Sequence, residues 1–189
     1  MSYRRKLKED YAYVVDFLPY GHPLERAGPR AHEPLIHVIG EKTFCLLEVS
    51  VKPATVFDVG ERICISGDNK DPRINYVRRR LRYEDLTSNA RNELPYVIER
   101  MLKANPSIII DFFNRAGPIT IRKHSLELLP GIGKKHLWQI IREREREPFK
   151  SIEDIKNRAG IKDPIKLVAE RILRELSGQE RRRIFVRGA

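Results

Sequence analysis

Through the first 83 residues the apolar positions come in short runs that alternate with polar ones. Residues 11–18 (YAYVVDFL) are β-branched and aromatic, a composition that suits a pleated surface. Residues 35–39 (LIHVI) end at Gly40-Glu41, a turn signal. In residues 44–51 (FCLLEVSV), Cys45, Leu47, Val49 and Val51 share one face while Glu48 and Ser50 take the other. A period of two marks a half-buried strand. Residues 62–66 (RICIS) stop at Gly67-Asp68. In residues 74–83 (INYVRRRLRY), alternation turns Val77, Leu81 and Tyr83 inward, and Arg78, Arg80 and Arg82 outward beside Tyr76. Five short strands with no helix between most of them predict a small antiparallel barrel.

The period then changes. Between residues 85 and 104, Leu86, Ala90, Leu94, Val97, Ile98, Met101 and Leu102 recur at spacings of three and four. That is an amphipathic helix, with a break expected at Pro95. Asn105-Pro106 starts a short helix over 106–115 that stops at Gly117-Pro118. Because it is apolar nearly all round, it is expected to be buried. Further on, Ser151 is an N-cap for a helix to about Arg158, and Asp163-Pro164 opens a helix over 164–176. Its stripe is Ile165, Val168, Ala169, Ile172 and Leu176. Residues 181–187 (RRRIFVR) read as a last short strand or a basic tail.

The fold class is therefore α+β, in four stretches. Residues 1–83 form the barrel, for which an OB-like form is preferred. Residues 84–118 form a helical connector, residues 119–178 a helical domain, and residues 179–189 a basic strand or tail. OB-like faces and loops commonly bind oligonucleotides. On that reading Arg78, Arg80 and Arg82 track phosphates while Tyr76 stacks. The alternative is an edge strand guarded by charge.

Charge sharpens this. The 189 residues carry a net charge of +11, with 37 Lys and Arg against 26 Asp and Glu. Residues 119–189 hold 18 basic and 10 acidic side chains; residues 1–118 hold 19 and 16. The excess lies in the helical part and suggests a polyanionic partner. Arg142 to Glu147 (RERERE) nearly cancels and reads as a solvated helix face. No apolar run is long enough to span a membrane, and residues 1–6 (MSYRRK) lead into charged residues without a signal-like apolar stretch. Cys45 and Cys64 are too few for a disulfide framework and read as core residues. A reduced, cytoplasmic protein is expected. The five histidines lack metal-ligand spacing, and no phosphate loop, dinucleotide fingerprint or zinc motif occurs. No cofactor, small-molecule substrate or metal site built on acidic, histidine or cysteine side chains is expected. The long loop 19–34 carries His22, Arg26, Arg30 and His32 and reads as a surface excursion or a functional loop.

The most specific motif is residues 126–141 (LELLPGIGKKHLWQII). It reads as a helix ending at Leu129, a Pro130-Gly131-Ile132-Gly133 turn and a second helix from Lys134. Glycines let the backbone turn sharply and bring N–H groups close to a ligand. At a helix start those donors and the dipole favour an anion. Lys134 and Lys135 add charge. Such a clamp contacts phosphate rather than base edges, so it is largely sequence-independent. A weaker copy follows at Ala159-Gly160-Ile161-Lys162, where Lys162 stands in place of the second glycine.

Leu129 to Gly133 resembles the helix-hairpin-helix motif of DNA-repair and replication proteins. The resemblance implies that Gly131 and Gly133 donate backbone N–H to a phosphate and that Lys135 reaches the same or the next one. It also implies a monovalent-cation site at the carbonyls of Glu127, Leu129 and Ile132. Gly160 and Lys162 would be the matching positions of a second hairpin. Over nearly its full length the chain resembles the archaeal family known as domain of unknown function 655. That resemblance implies a predicted nucleic-acid-binding or RNA-binding protein, with an OB-like domain joined to tandem helix-hairpin-helix elements. The same order resembles the Holliday-junction-binding subunit of bacterial branch-migration machinery, but the chain lacks an obvious acidic pin loop.

The expected function is non-catalytic, largely sequence-independent binding of RNA or DNA. Two alternatives stand beside it. One is a glycosylase or lyase: by resemblance Lys135 occupies the attacking-lysine position, but Glu153 and Asp154 stand in a stretch (REREREPFKSIED) without the Gly/Pro-rich approach to a catalytic aspartate. The other is a helix-hairpin-helix adaptor that binds protein through Phe112-Phe113 or Trp138. DNA or RNA, the strand form and the oligomeric state are left open.

Overall fold

A computed structural model describes residues 9–23 and 32–187. Residues 1–6, Arg26 and Arg30 lie outside that range. The chain divides into two units, Met1–Val97 with Glu175–Ala189, and Ile98–Arg174. No helix among the described residues is long and apolar enough to cross a membrane.

The first unit is built on five strands: β1 (Tyr11–Leu18), β2 (Leu35–Gly40), β3 (Leu46–Val51), β4 (Arg62–Cys64) and β5 (Ile74–Leu81). They form one antiparallel sheet in the order β4-β1-β2-β3-β5. One face carries Ala12, Val14, Ile36, Val38, Leu47, Val49, Val51, Ile63 and Ile74, which cluster with Phe57. This is the period-two pattern read from the sequence. The molecule is mixed α+β, as expected, but the sheet does not close into a barrel among the described residues. β4 has only three residues, and Pro72, which lacks an N–H, stands just before β5. A backbone bond from Asp71 N to Cys64 O, 2.9 Å, spans that edge instead of a ladder.

Three further features differ from the pattern read in the sequence. Arg78, Arg80 and Arg82 do not form one outward row. A β-bulge in β5, opposite Glu48 and Val49, inserts Arg78 as an extra residue and resets the alternation. The strand stops at Leu81, and Tyr83 begins a short 3-10 turn. Residues 181–187 form no strand. Glu175, wholly buried, accepts the amides of Ile184, Phe185 and Val186, each at 3.0 Å. Arg187 N then donates to Thr43 O at 2.9 Å. Cys45 is buried in the core; burial pushes its thiol pKa up, which suits a packing role.

Helix α1 (Ser88–Ala104) runs unbroken through Pro95. The ring removes one backbone bond, and the buried apolar face of Leu94, Val97, Ile98, Met101 and Leu102 outweighs it. The second unit continues with α2 (Ser107–Arg115), a small hairpin of β6 (Pro118–Thr120) and β7 (Lys123–His124), and a one-turn 3-10 helix, Ser125–Leu128. Then come α3 (Lys134–Arg146), α4 (Ile152–Ala159) and α5 (Pro164–Leu176). α2 buries Ile109 and Phe113 while Asp111 and Arg115 stay exposed, so it is amphipathic rather than buried all round. The 142–147 stretch is not simply solvated. Arg144 Nη1 donates to the carbonyls of Phe113 (3.0 Å) and Ala116 (2.7 Å), closing the C-terminus of α2.

Candidate functional site

The strongest sequence motif lies at the start of α3. The helix before it is shorter than expected, a single 3-10 turn. His124 caps it by accepting the Leu126 amide on Nδ1 at 3.1 Å. Glu127 completes the cap by accepting the His124 amide at 2.8 Å. Leu126, Leu128 and Leu129 are buried and anchor this turn. The buried Arg171 of α5 reaches back to it, donating from Nη1 to Leu128 O at 2.9 Å. The backbone leading into the glycine turn is therefore fixed from two sides.

Gly131 has φ +79°, a left-handed conformation that favours glycine, and a Cβ there would meet nothing within 4 Å. Ile132 is buried, and its amide donates to Leu129 O at 3.2 Å. Gly133 is the N-cap of α3 in extended conformation, with no side chain capping the helix. A Cβ at Gly133 would also meet nothing within 4 Å. Both glycines and Lys135 face solvent. The start of α3 thus presents its unpaired amides and dipole over an open approach.

Lys134 is already engaged. Its Nζ lies 2.8 Å from Glu127 Oε1. That hydrogen bond and the His124 amide hold the Glu127 carboxyl below the usual carboxylate range. The carboxylate beside the turn is therefore neutralised locally. The carbonyls of Glu127, Leu129 and Ile132 lie in the same turn, that of Leu129 accepting the Ile132 amide.

The second turn is built differently. Gly160, φ +70°, is the C-cap of α4, and its amide donates to Lys156 O at 3.1 Å. Ser151 caps the start of α4 by accepting the Asp154 amide at 3.0 Å. Ile161 is buried and Lys162 exposed. The next helix starts with a carboxylate: Asp163 Oδ1 accepts the Lys166 amide at 3.0 Å, and Pro164 has no amide to offer. The first turn thus leaves a helix start open, whereas the second fills its own with negative charge.

Sequence reasoning missed the β6-β7 hairpin. Thr120 pairs with Lys123, leaving Ile121 and Arg122 at the tip. A groove of about 420 Å³ runs between this hairpin and α3, lined by Ile121, Arg122, Lys123, Glu127, Lys134 and Trp138, among others. The signal for it was the β-branched run Ile119-Thr120-Ile121 after the Gly117-Pro118 break.

In the first unit the predicted arginines separate. Arg78 Nη1 lies 3.4 Å from Glu48 Oε1, and Arg79 Nε 3.0 Å from the same oxygen. Arg80 and Arg82 line a cleft of about 350 Å³ together with Tyr83 and Arg183 of the C-terminal segment. Tyr76 Oη donates to Glu33 at 3.1 Å. Among the described residues no group of three or more His, Cys, Asp and Glu is arranged to hold a metal ion.

The chain is similar to two archaeal proteins. Uncharacterized protein MJ0038 of Methanocaldococcus jannaschii is 42% identical over 178 residues, covering 94% of this chain and 79% of that protein. The crystal structure of Af1531 from Archaeoglobus fulgidus is 48% identical with a TM-score of 0.83, covering 94% of this chain and 99% of that one. Residues 8–187 match the family described as protein of unknown function DUF655, and the chain belongs to that family.

Proposed function

We propose that this protein binds nucleic acid without catalysis, gripping backbone phosphate at the Gly131–Gly133 turn as a helix-hairpin-helix element does. The observation that carries this reading is the open start of α3: two exposed glycines, no side-chain cap, and Lys135 alongside. Amides at a helix N-terminus bind phosphate through hydrogen bonds and the dipole together. Contacts of this kind read no base edges, so affinity is largely independent of sequence. The second hairpin, with Asp163 at its helix start, acts as structural support, and Lys162 adds only charge.

The sheet of the first unit supports an OB-like reading. What supports it is five short antiparallel strands in one sheet, in the order β4-β1-β2-β3-β5. The cleft of Arg80, Arg82 and Arg183 beside Tyr83 supplies charge and a ring for a strand. Arg78 serves Glu48 instead.

The contacts of Glu153 and Asp154 weigh against the glycosylase alternative. Asp154 accepts from Lys150 N and Arg158 Nη1, each at 3.0 Å, and Glu153 pairs with Lys156 at 2.8 Å. Both acids have other partners, which favours the non-catalytic reading.

Fluorescence anisotropy on labelled single- and double-stranded DNA and RNA, at low and moderate salt, tests the reading. Wild type should bind at least one probe with a steep loss of affinity as salt rises. A folded Gly131→Ala, Gly133→Ala, Lys135→Ala variant should lose most of that affinity. A wild type that binds none of the four probes overturns the proposal.

A further inference from the structure

Two large apolar side chains of the second unit stand out in solvent among the described residues, Ile121 and Trp138. Ile121 is as exposed as in an extended peptide, at 107%, and Trp138 is 65% exposed. They come from different elements, yet both line the groove between the β6-β7 hairpin and α3. Isolated exposed hydrophobics are ordinary, but two that converge on one groove are a shaped apolar surface.

The surroundings of that surface are cationic. Arg122, Lys123 and Lys134 line the same groove, and Glu127, the acid among its lining residues, is paired with Lys134. A cationic rim around an exposed indole suits a ligand that is flat, aromatic and attached to negative charge. An apolar peptide or an acyl chain has no use for the cations, and a lone phosphate has no use for the rings. An unpaired nucleobase uses both.

The groove's lining includes Lys134, the residue next to Gly133. Lys134 and Trp138 are four residues apart, so they share one face of α3. Trp138 stands five residues beyond Gly133, about 7.5 Å along the helix. That is within reach of a base whose own backbone phosphate rests at Gly133.

Resting on the phosphate-grip reading, we infer that this groove takes one unpaired base, with Trp138 as the stacking platform and Ile121 covering it from the hairpin tip. The site therefore favours single strands, loops or ends over continuous duplex, because a base held in a duplex stack cannot enter it.

Trp138 is the chain's one tryptophan, so intrinsic fluorescence reads this groove without a label. The test titrates wild type, Trp138→Ala, Trp138→Phe and Ile121→Ser with a labelled single-stranded oligonucleotide and with a blunt hairpin duplex. Anisotropy and indole emission are followed together. Single strand should quench the wild-type indole, and duplex should leave it largely unchanged. Trp138→Ala should weaken single-strand binding about 5- to 100-fold, as expected for loss of one stacked base, with duplex binding unaltered. Trp138→Phe should recover part of the loss, and Ile121→Ser should weaken single-strand binding less than Trp138→Ala does. Trp138 and Ile121 are both exposed, so these variants should keep the wild-type circular dichroism. Tight, salt-dependent binding with no quenching and no effect of Trp138→Ala overturns this inference and leaves the phosphate grip standing. No anisotropy change with either probe overturns both.

Discussion

Glu48 faces inward to three partners at zero exposure: His37 at 3.5 Å, Arg78 at 3.4 Å and Arg79 at 3.0 Å. Burial alone would raise its pKa. The nearby His37 ring, the hydrogen bonds from Arg79 and the charges of the two arginines reverse that and hold it at about 2, against an ordinary 4.5. A carboxyl whose folded pKa is depressed stabilises the fold above its unfolded pKa and loses that contribution as pH falls through the folded value. Stability from Glu48 should therefore be full above about pH 4.5 and drain away towards about pH 2, a loss of about 3 kcal/mol. Urea unfolding of wild type and Glu48→Gln across that window checks this. The variant should be about 3 kcal/mol less stable at neutral pH and should show a flatter acid profile. Parallel profiles would contradict the assignment. Alternation in the sequence gives the side of the sheet that Glu48 takes, but not that this side is covered. Nor does it reveal the bulge at Arg78, because a bulge is set by how two strands pair and leaves no periodic mark in either.

Helix ends were the most legible elements. Ser151 and Asp163 cap as read, because capping depends on a few adjacent residues, and Gly160, read as part of a second hairpin turn, closes α4 as its C-cap. The C-terminal segment was not legible. Ile184-Phe185-Val186 has strand composition, yet its amides go to the carboxylate of Glu175. A single side chain that replaces a ladder has no pattern to detect. Glu175→Ala should release these three amides, raising their hydrogen-exchange rates and costing about 1–3 kcal/mol. Unchanged protection would mean that Phe185 and Val186 are held by packing alone. The β6-β7 hairpin escaped notice for a different reason: strands of three and two residues are too short for periodicity. Arg171 offers an element-scale test of the glycine turn. Arg171→Leu should remove the tie to Leu128 O, speed amide exchange across residues 126–133 and weaken nucleic-acid binding, although Arg171 lies on a different helix from the glycines. Unchanged exchange and affinity would show that the turn needs no such brace.

At the scale of the whole chain, the mixed α+β class and the concentration of charge towards the C-terminal part were readable from residue order. The two-unit division was less so, since α1 and α5 each run across a unit boundary and a continuous helical pattern conceals the boundary. The proposed phosphate grip rests on one place in this basic protein, the uncapped start of α3. Gly133→Asp tests it most directly. Gly133 has extended φ and open space beside its Cα, so aspartate fits there and can cap α3 as Asp163 caps α5. The variant should melt no lower than wild type and gain a few tenths of a kcal/mol from the cap. Its carboxylate would occupy the amides that a phosphate needs, so nucleic-acid affinity at low salt should fall by about tenfold or more and the salt dependence should flatten. A Gly133→Asp protein that binds with wild-type affinity and wild-type salt dependence would contradict the account.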